Sequence, residues 1–409
     1  VIDNIGPRYA GSKEEALAAE DLNSRLSEFS DDIMNDKFEV FPDLYPQGLI
    51  KIAVIMAIFS SLFFTMTSPI NLIAPLGYTL GLIVFFSSLF LMKEWFAFPF
   101  KKAKSTNVVG KIKPRINNES INGKKKIIIA GHLDSANEMN IVKLGDLIGT
   151  VSIIGAVWIV ISIILAILKS ILVWLAPSIV LGQWFIFQFS YIDLIWVITA
   201  CAGIPLLLYL EYAYTGDEVV PGANDNLISI GIALALGKYF SQEENRLHNV
   251  ELWVGGFGSE ECGERGSCAF VKEYGPKGEL DNALAVIPES CGAGSNLAIL
   301  TRERMHLAHH NIELCNKVFE GYKKYKEEYG DGALPCKVCE LPYSASDAGR
   351  FSLKGYKATT ILGYMGKLMK PINWHQTNDS YESLEMKTIN AVIEIYKNFI
   401  RIVEKELEE

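Results

Sequence analysis

Hydrophobic residues in this chain follow three patterns, and each predicts a different kind of element. Ala18, Leu22, Leu26 and Phe29 recur at helical spacing with charges opposite, which predicts an amphipathic helix. "KFEVFP" alternates polar and apolar residues, and "KSTNVVGKIKP" and "KKKIIIAGHLD" are rich in β-branched residues, so all three predict strands. From Thr215 onward the two patterns alternate: helix-like "NLISIGIALALGKYF", buried strands "HNVELWVGGFG" and "NALAVIPES", and an amphipathic helix beginning "MHLAHHNIELCN". That alternation predicts an α/β protein.

The third pattern is unbroken apolarity. No charged residue lies between Ile52 and Met92, and "TSPIN" supplies a turn near the middle, which predicts a helical hairpin over 48–67 and 70–93. A second block, Leu147 to Leu210, is interrupted only by Lys169 and Asp193 and is long enough for spans at 147–168, 170–192 and 194–210. If the polar segments on either side form one domain, the number of crossings must be even. The middle segment carries Pro177, Gly182, Gln183 and Gln188 with Trp174, Trp184 and Tyr191, and reads as interfacial or re-entrant near 170–190. The expected organisation is therefore a domain in three parts, 1–47, 94–143 and 215–409, with four transmembrane spans as hairpins inserted at 48–93 and 144–214.

Composition narrows the class. Half of the 409 residues are hydrophobic, concentrated in these blocks, which is the signature of a mixed membrane and soluble protein. A net charge of −9 argues against nucleic acid as a partner, and the lysines at 101–102 and 124–126 read as solvated strand flanks. Seven cysteines fit no disulfide scaffold; Cys336 with Cys339, and Cys262 with Cys268, lack the companion pair a structural zinc needs. Lys51, Lys93, Lys101, Lys102, Lys104 and Lys143 flank the spans on the domain side against Lys169 alone on the other, which favours a cytoplasmic domain.

Metal-type residues fall in five stretches at strand ends and tight turns: "GHLDS", "PGANDN", "GSEECGERGS", "IPESCG" and "NWHQTNDS". Together they offer two histidines and several carboxylates, a mixed nitrogen and oxygen set suited to Zn²⁺. Two zinc ions about 3.5 to 4 Å apart need one shared carboxylate. His132 is a candidate ligand, with Asp134 placed to accept its other ring N–H. Asp225 is the candidate bridge, while Asn224 and Asn226 read as turn formers. Of the neighbours Glu260 and Glu261, one can ligate and the other can act as general base.

The order of these motifs resembles the co-catalytic di-zinc exopeptidases, metallopeptidase family 28, which includes bacterial leucyl aminopeptidases, glutamate carboxypeptidase II and the endoplasmic reticulum metallopeptidase. "IGPRYAGS", "NVVGKIK", "GHLDS", "PGANDN", "SEE", "YSASD" and "HQTNDS" occur in the family's order. The resemblance implies a zinc-exopeptidase fold, a central mixed β-sheet flanked by helices, here with two inserted transmembrane hairpins. It implies two zinc ions per chain, with His132, Glu261 and His375 as ligands, Asp225 as bridge, Glu260 as acid/base, Asp134 and Asp379 as orienting carboxylates, and Tyr343 as a donor to the oxyanion. Three positions depart from the pattern: Glu289, kept as a ligand, stands where an aspartate is usual, Ala348 where a histidine often follows Ser-Asp, and Trp374 precedes His375.

The expected function is an integral-membrane zinc aminopeptidase acting on peptides. A carboxypeptidase or dipeptidase would need a carboxylate clamp, for which Arg302, Arg304 and Arg350 are the candidates. A non-catalytic scaffold on the same fold should have lost ligands that this chain retains. A transporter would need more than Asp193 and Glu211 near its later spans.

Overall fold

The computed structural model describes residues 1–91, 94–115, 125–214, 216–342 and 344–408. The chain divides into two compact units: a sheet unit of Val1–Pro42, Lys101–Glu138 and Asp217–Glu409, and a helical unit of Asp43–Phe100 and Met139–Gly216.

Along the chain, a short helix α1 (Ile2–Ile5) leads to α2 (Lys13–Ser27). Ser12 caps α2 by accepting the Glu15 N–H, and the acidic first turn suits the helix N-terminus. Ala18, Ala19, Leu22 and Leu26 form its buried stripe. Strand β1 (Asp32–Val40) follows, and then the first excursion into the helical unit, α3 (Leu49–Phe64) and α4 (Ile73–Leu91). The chain returns as β2 (Ala103–Ile112) and β3 (Lys125–His132), and leaves again as α5 (Ile148–Leu175), a hairpin of β4 (Val180–Trp184) and β5 (Phe187–Ser190), and α6 (Tyr191–Tyr214). The remainder is sheet unit: α7 (Ile228–Ser241), β6 (Val250–Phe257), α8 (Arg265–Tyr274), β7 (Ala283–Glu289), β8 (Asn296–Glu303), β9 (Ala308–His309), α9 (Ile312–Tyr329), β10 (Cys336–Leu341), α10 (Asp347–Ser352), β11 (Lys357–Tyr364) and α11 (Met386–Glu406).

The strands make one mixed sheet, β1-β2-β6-β3-β7-β11-β8-β10, with β9 on β8. Its centre, β6, β3, β7 and β11, is parallel, while β1, β2 and the β11–β8 pair are antiparallel. The apolar run of β3 is explained by burial on both faces. Ile127 and Ile129 pack with residues of α2, α7 and α11, whereas Ile128 and Ala130 pack with Phe270 of α8 and Phe351 of α10. β6 divides the same way, Leu252 and Val254 to one side and Trp253 and Phe257 to the other. Parallel pairing brings His132 level with Phe257, so β3 and β6 end together and β7 ends beside them at Glu289. This carboxyl edge is where α/β sheets place their chemistry.

In the helical unit α3 packs on α4, α4 on α5 and α5 on α6. Close approach depends on small residues: a Cβ on Gly203 of α6 would stand 2.2 Å from the Trp158 ring. Among the described residues three helices are long and apolar enough to cross a membrane, Leu44–Phe64, Gly149–Leu175 and Tyr191–Tyr214, and a shorter apolar helix covers Ile70–Phe86. Helix α5 runs on through Lys169 to Leu175, and the segment after it, read from sequence as interfacial or re-entrant, forms a 3₁₀ turn and the β4–β5 hairpin.

Lys169 departs from its reading as a lone far-side charge. Its side chain is fully buried and donates to Asp193 Oδ1 at 2.7 Å, to the Phe64 carbonyl at 2.7 Å and to the Gln188 carbonyl at 2.8 Å. Asp193 Oδ2 in turn accepts from the N–H and hydroxyl of Ser190. Phe64 ends α3, so its carbonyl has no partner within the helix and the ammonium supplies one. Removing one member of a buried pair strands the other, a loss of about 3–5 kcal/mol. Lys169→Met should therefore melt several degrees lower in detergent, and Lys169→Met with Asp193→Leu should regain most of that difference; a thermal unfolding scan followed by tryptophan fluorescence checks both.

Candidate metal centre

The end of β3 delivers the first donor. His132 is buried, and its Nδ1 lies 3.1 Å from the Asp134 main-chain carbonyl and 3.5 Å from Asp134 Oδ1. The Asp134 carboxylate also holds a second turn, since Oδ1 accepts the Glu260 N–H and Oδ2 the Glu261 N–H, each at 2.9 Å. It thereby ties the turn after β6 to the turn after β3. Glu260 Oε2 approaches His132 Nε2 to 3.9 Å.

Asp225 arrives from a different kind of element, an irregular turn over Ala223–Leu227 ahead of α7. The turn enters through Gly222, whose φ of 62° is left-handed and whose Cβ, were there one, would lie 2.6 Å from Ser135 Cβ. Asp379 holds the turn from behind, accepting the Asn224 N–H at 2.9 Å and the Asp225 N–H at 3.0 Å. The two asparagines do more than form a turn. Asn224 accepts from Gly292 N–H at 2.8 Å, and Asn226 donates to Glu289 Oε2 at 3.0 Å and to the Pro288 carbonyl at 3.2 Å, which links the Asp225 turn to the end of β7.

So held, Asp225 faces a histidine with each oxygen: Oδ1 lies 3.3 Å from His132 Nε2 and Oδ2 lies 3.4 Å from His375 Nε2. His375 Nε2 is also 3.1 Å from Glu261 Oε2. Donor atoms of His132, Asp225 and Glu289 lie within 4.8 Å of one another, as do those of Asp225, Glu261 and His375. Two donors on one tetrahedral zinc at about 2.0–2.1 Å would stand about 3.3 Å apart, so the spacing fits that ion. His132, Glu260 and Glu261 form a third such group. Tyr343 lies outside the described residues.

The electrostatics also call for cations. Burial above all, with the neighbouring Glu261, Asp347 and Glu289, pushes the Glu260 carboxyl well above the ordinary range. Burial and the charge of Asp225 do the same to Glu289, and burial raises Glu261. Burial works against charge at the histidines as well, but hydrogen bonds to Asp134 and Asp225 lift His132, and Glu261 and Asp225 lift His375 to about 10. Hydrogen bonds to the two rings hold Asp225 below the usual carboxylate range despite its burial. Glu261 Oε1 is buried with no hydrogen-bond partner among the described residues. A crowd of buried carboxylates with an orphaned oxygen fits divalent cations, which offset their repulsion.

Several residues around the centre are not among the candidate site residues read from the sequence. Arg8 is fully buried beside the turns of His132 and Asp225. Glu15 Oε1 accepts from the N–H and hydroxyl of Ser259, the residue before Glu260, and burial followed by the charge of Asp134 lifts its carboxyl to about 8. Glu264 closes the same turn: it lies 2.7 Å from Arg350 Nε and 2.8 Å from His306 Nδ1, and its N–H donates to the Glu260 carbonyl. Arg8 lies in "IGPRYAGS", one of the motifs that carry the family resemblance, but its residue type does not mark its burial.

Comparison with known proteins bears on the family and the fold. Residues 211–400 match the family model for peptidase family M28. BSAP, a zinc aminopeptidase from Bacillus subtilis, superposes with a TM-score of 0.54 at 12% identity, over 98% of this chain and 92% of that one. The glutaminyl cyclase of Bacteroides thetaiotaomicron gives a TM-score of 0.54 at 14% identity over 97% and 92%, and a Zn-dependent exopeptidase from Parabacteroides distasonis 0.50 at 12% over 96% and 91%. No curated protein matches the chain. The mixed sheet flanked by helices is the fold of these solved structures. The central aspartate, the glutamate pair and the second histidine all fall within residues 211–400, the part of the chain that matches the model of peptidase family M28.

Proposed function

We propose that this chain is an integral-membrane, two-zinc exopeptidase that removes residues from the free amino terminus of peptides. The observation that carries the proposal is the Asp225 carboxylate, which turns one oxygen to His132 and the other to His375. His132, Asp225 and Glu289 would hold one ion, and Asp225, Glu261 and His375 the other. Zinc in these sets supplies Lewis acidity for the scissile carbonyl and lowers the pKa of water towards about 7.

The protein's own contribution is proton transfer and alignment. Glu260 stands beside this cluster with a carboxyl raised by burial, suited to take a proton from water and pass it to the leaving amine. Asp134 fixes Glu260 through its backbone, so the base cannot drift from the donors it serves. Of the three arginines that could form a carboxylate clamp, Arg304 is engaged by Glu340 at 2.7 Å and Arg350 by Glu264 at 2.7 Å, which favours amino-terminal specificity; Arg302, whose buried Nε meets no hydrogen-bond partner among the described residues, is the one on which a carboxypeptidase reading rests. Glu260→Gln should retain metal and lose about 100- to 10,000-fold in kcat, measured on a free-amino-terminus peptide. The parent should leave the acetylated peptide intact; cleavage of it from the carboxyl end would favour a carboxypeptidase.

The two excursions at 43–100 and 139–216 are proposed to be membrane hairpins giving four crossings. Each leaves the sheet unit and returns to it, which supports an even number. Burial of Lys169 in an ion pair removes the only lysine on the far side of the positive-inside count, which supports a cytoplasmic sheet unit. Protease added outside intact cells should leave the sheet unit uncut, and added to inverted vesicles should digest it.

A further inference from the structure

Segment 6–12 contributes no metal-type side chain, yet it reaches the centre through Arg8. The main-chain N–H of Arg8 donates to Ser135 Oγ at 2.9 Å, and its carbonyl accepts the Ser135 N–H at 2.9 Å. Its Nε donates to the Leu133 carbonyl at 2.8 Å, between His132 and Asp134. Nη1 donates to the Pro221 carbonyl at 2.9 Å and to the Gly6 carbonyl at 3.1 Å, and Nη2 donates to the Gly222 carbonyl at 3.1 Å. Every acceptor of the side chain is a main-chain carbonyl. The guanidinium is a rigid planar fork, so acceptors on its edges are held at fixed angles as well as distances.

Two features give this clamp its consequence. The His132 turn ends a central strand and is positioned by the sheet, whereas the Asp225 turn belongs to no strand. The relation between them therefore depends on what ties them together. Asp379 grips the Asp225 turn on one side, and Arg8 joins Pro221 and Gly222 to Leu133 on the other. The cation also faces Asp134 and Asp379, the two carboxylates that orient the turns. A neutral residue of the same size would supply neither the fork nor this charge.

We infer that Arg8 is a positioning residue for the metal centre, setting the separation of the His132 and Asp225 turns and hence the spacing of these two donors within the set they form with Glu289. The inference rests on the reading of these sets as a two-ion site, but the clamp itself is tested without metal. In the full chain in detergent, amide exchange of metal-free Arg8→Lys is compared with the parent. Residues 133–135 and 221–225 should exchange faster while β3, β6 and α7 keep their protection. Cobalt titration of the same proteins gives the second readout: the variant should bind about 10- to 100-fold more weakly, with an altered visible spectrum. In Arg8→Ala, added guanidinium should restore the parental spectrum and affinity. Unchanged exchange in the two turns, or parental cobalt binding by both variants, overturns the inference. So does a general loss of protection in both variants without rescue, because the role is then only structural. A parent that binds no cobalt refutes the metal reading and leaves the exchange result to decide the clamp.

Discussion

The centre depends on one constraint: a single carboxylate, Asp225, must face two histidines that lie far apart in the chain. Its oxygens lie 3.3 and 3.4 Å from them. No strand supplies that placement, so the turn is fixed by polar contacts, with Asp379 behind it, Gly222 at its entrance, and Asn224 and Asn226 linking it to the end of β7 and the residues after it. The sheet does the rest, since parallel β3, β6 and β7 end side by side and present His132, the glutamate pair and Glu289 along one edge.

Such a site is costly to build. Its carboxylates are buried close enough to raise one another's pKa, and the energy of that crowding is offset by the histidines, the Asn226 amide on Glu289 and the N–H groups aimed at Asp134 and Asp379, a balance that bound cations would complete. The same economy of buried charge recurs in the helical unit. There Lys169 and Asp193 are paired, and every proton of the ammonium has an acceptor.

Much of this was legible in the sequence because donors at strand ends leave a local mark. The apolar run of β3 stops at His132 and that of β6 just before Glu260 and Glu261, and the structure brings both ends together. What was illegible came from partners distant in the chain. Asp134 stands two residues from His132 and reads as the ring's partner, but nothing local shows that its carboxylate oxygens also accept from N–H groups more than 120 residues away. Asn226 looks like a turn former until β7 brings Glu289 beside it. Arg8 falls in "IGPRYAGS", one of the motifs in the family's order, but only tertiary structure shows that it and Glu15 hold the turns of the centre, and the buried partner of Lys169 emerges only when α5 and α6 pack.

The claim that these turns form a two-ion centre is tested most directly by X-ray absorption at the zinc edge on the zinc-loaded full chain. The expected result is a zinc shell of mixed nitrogen and oxygen donors with a second zinc at about 3.5–4 Å. A spectrum with no metal–metal scattering at any zinc loading, or with sulfur in the first shell, would contradict it.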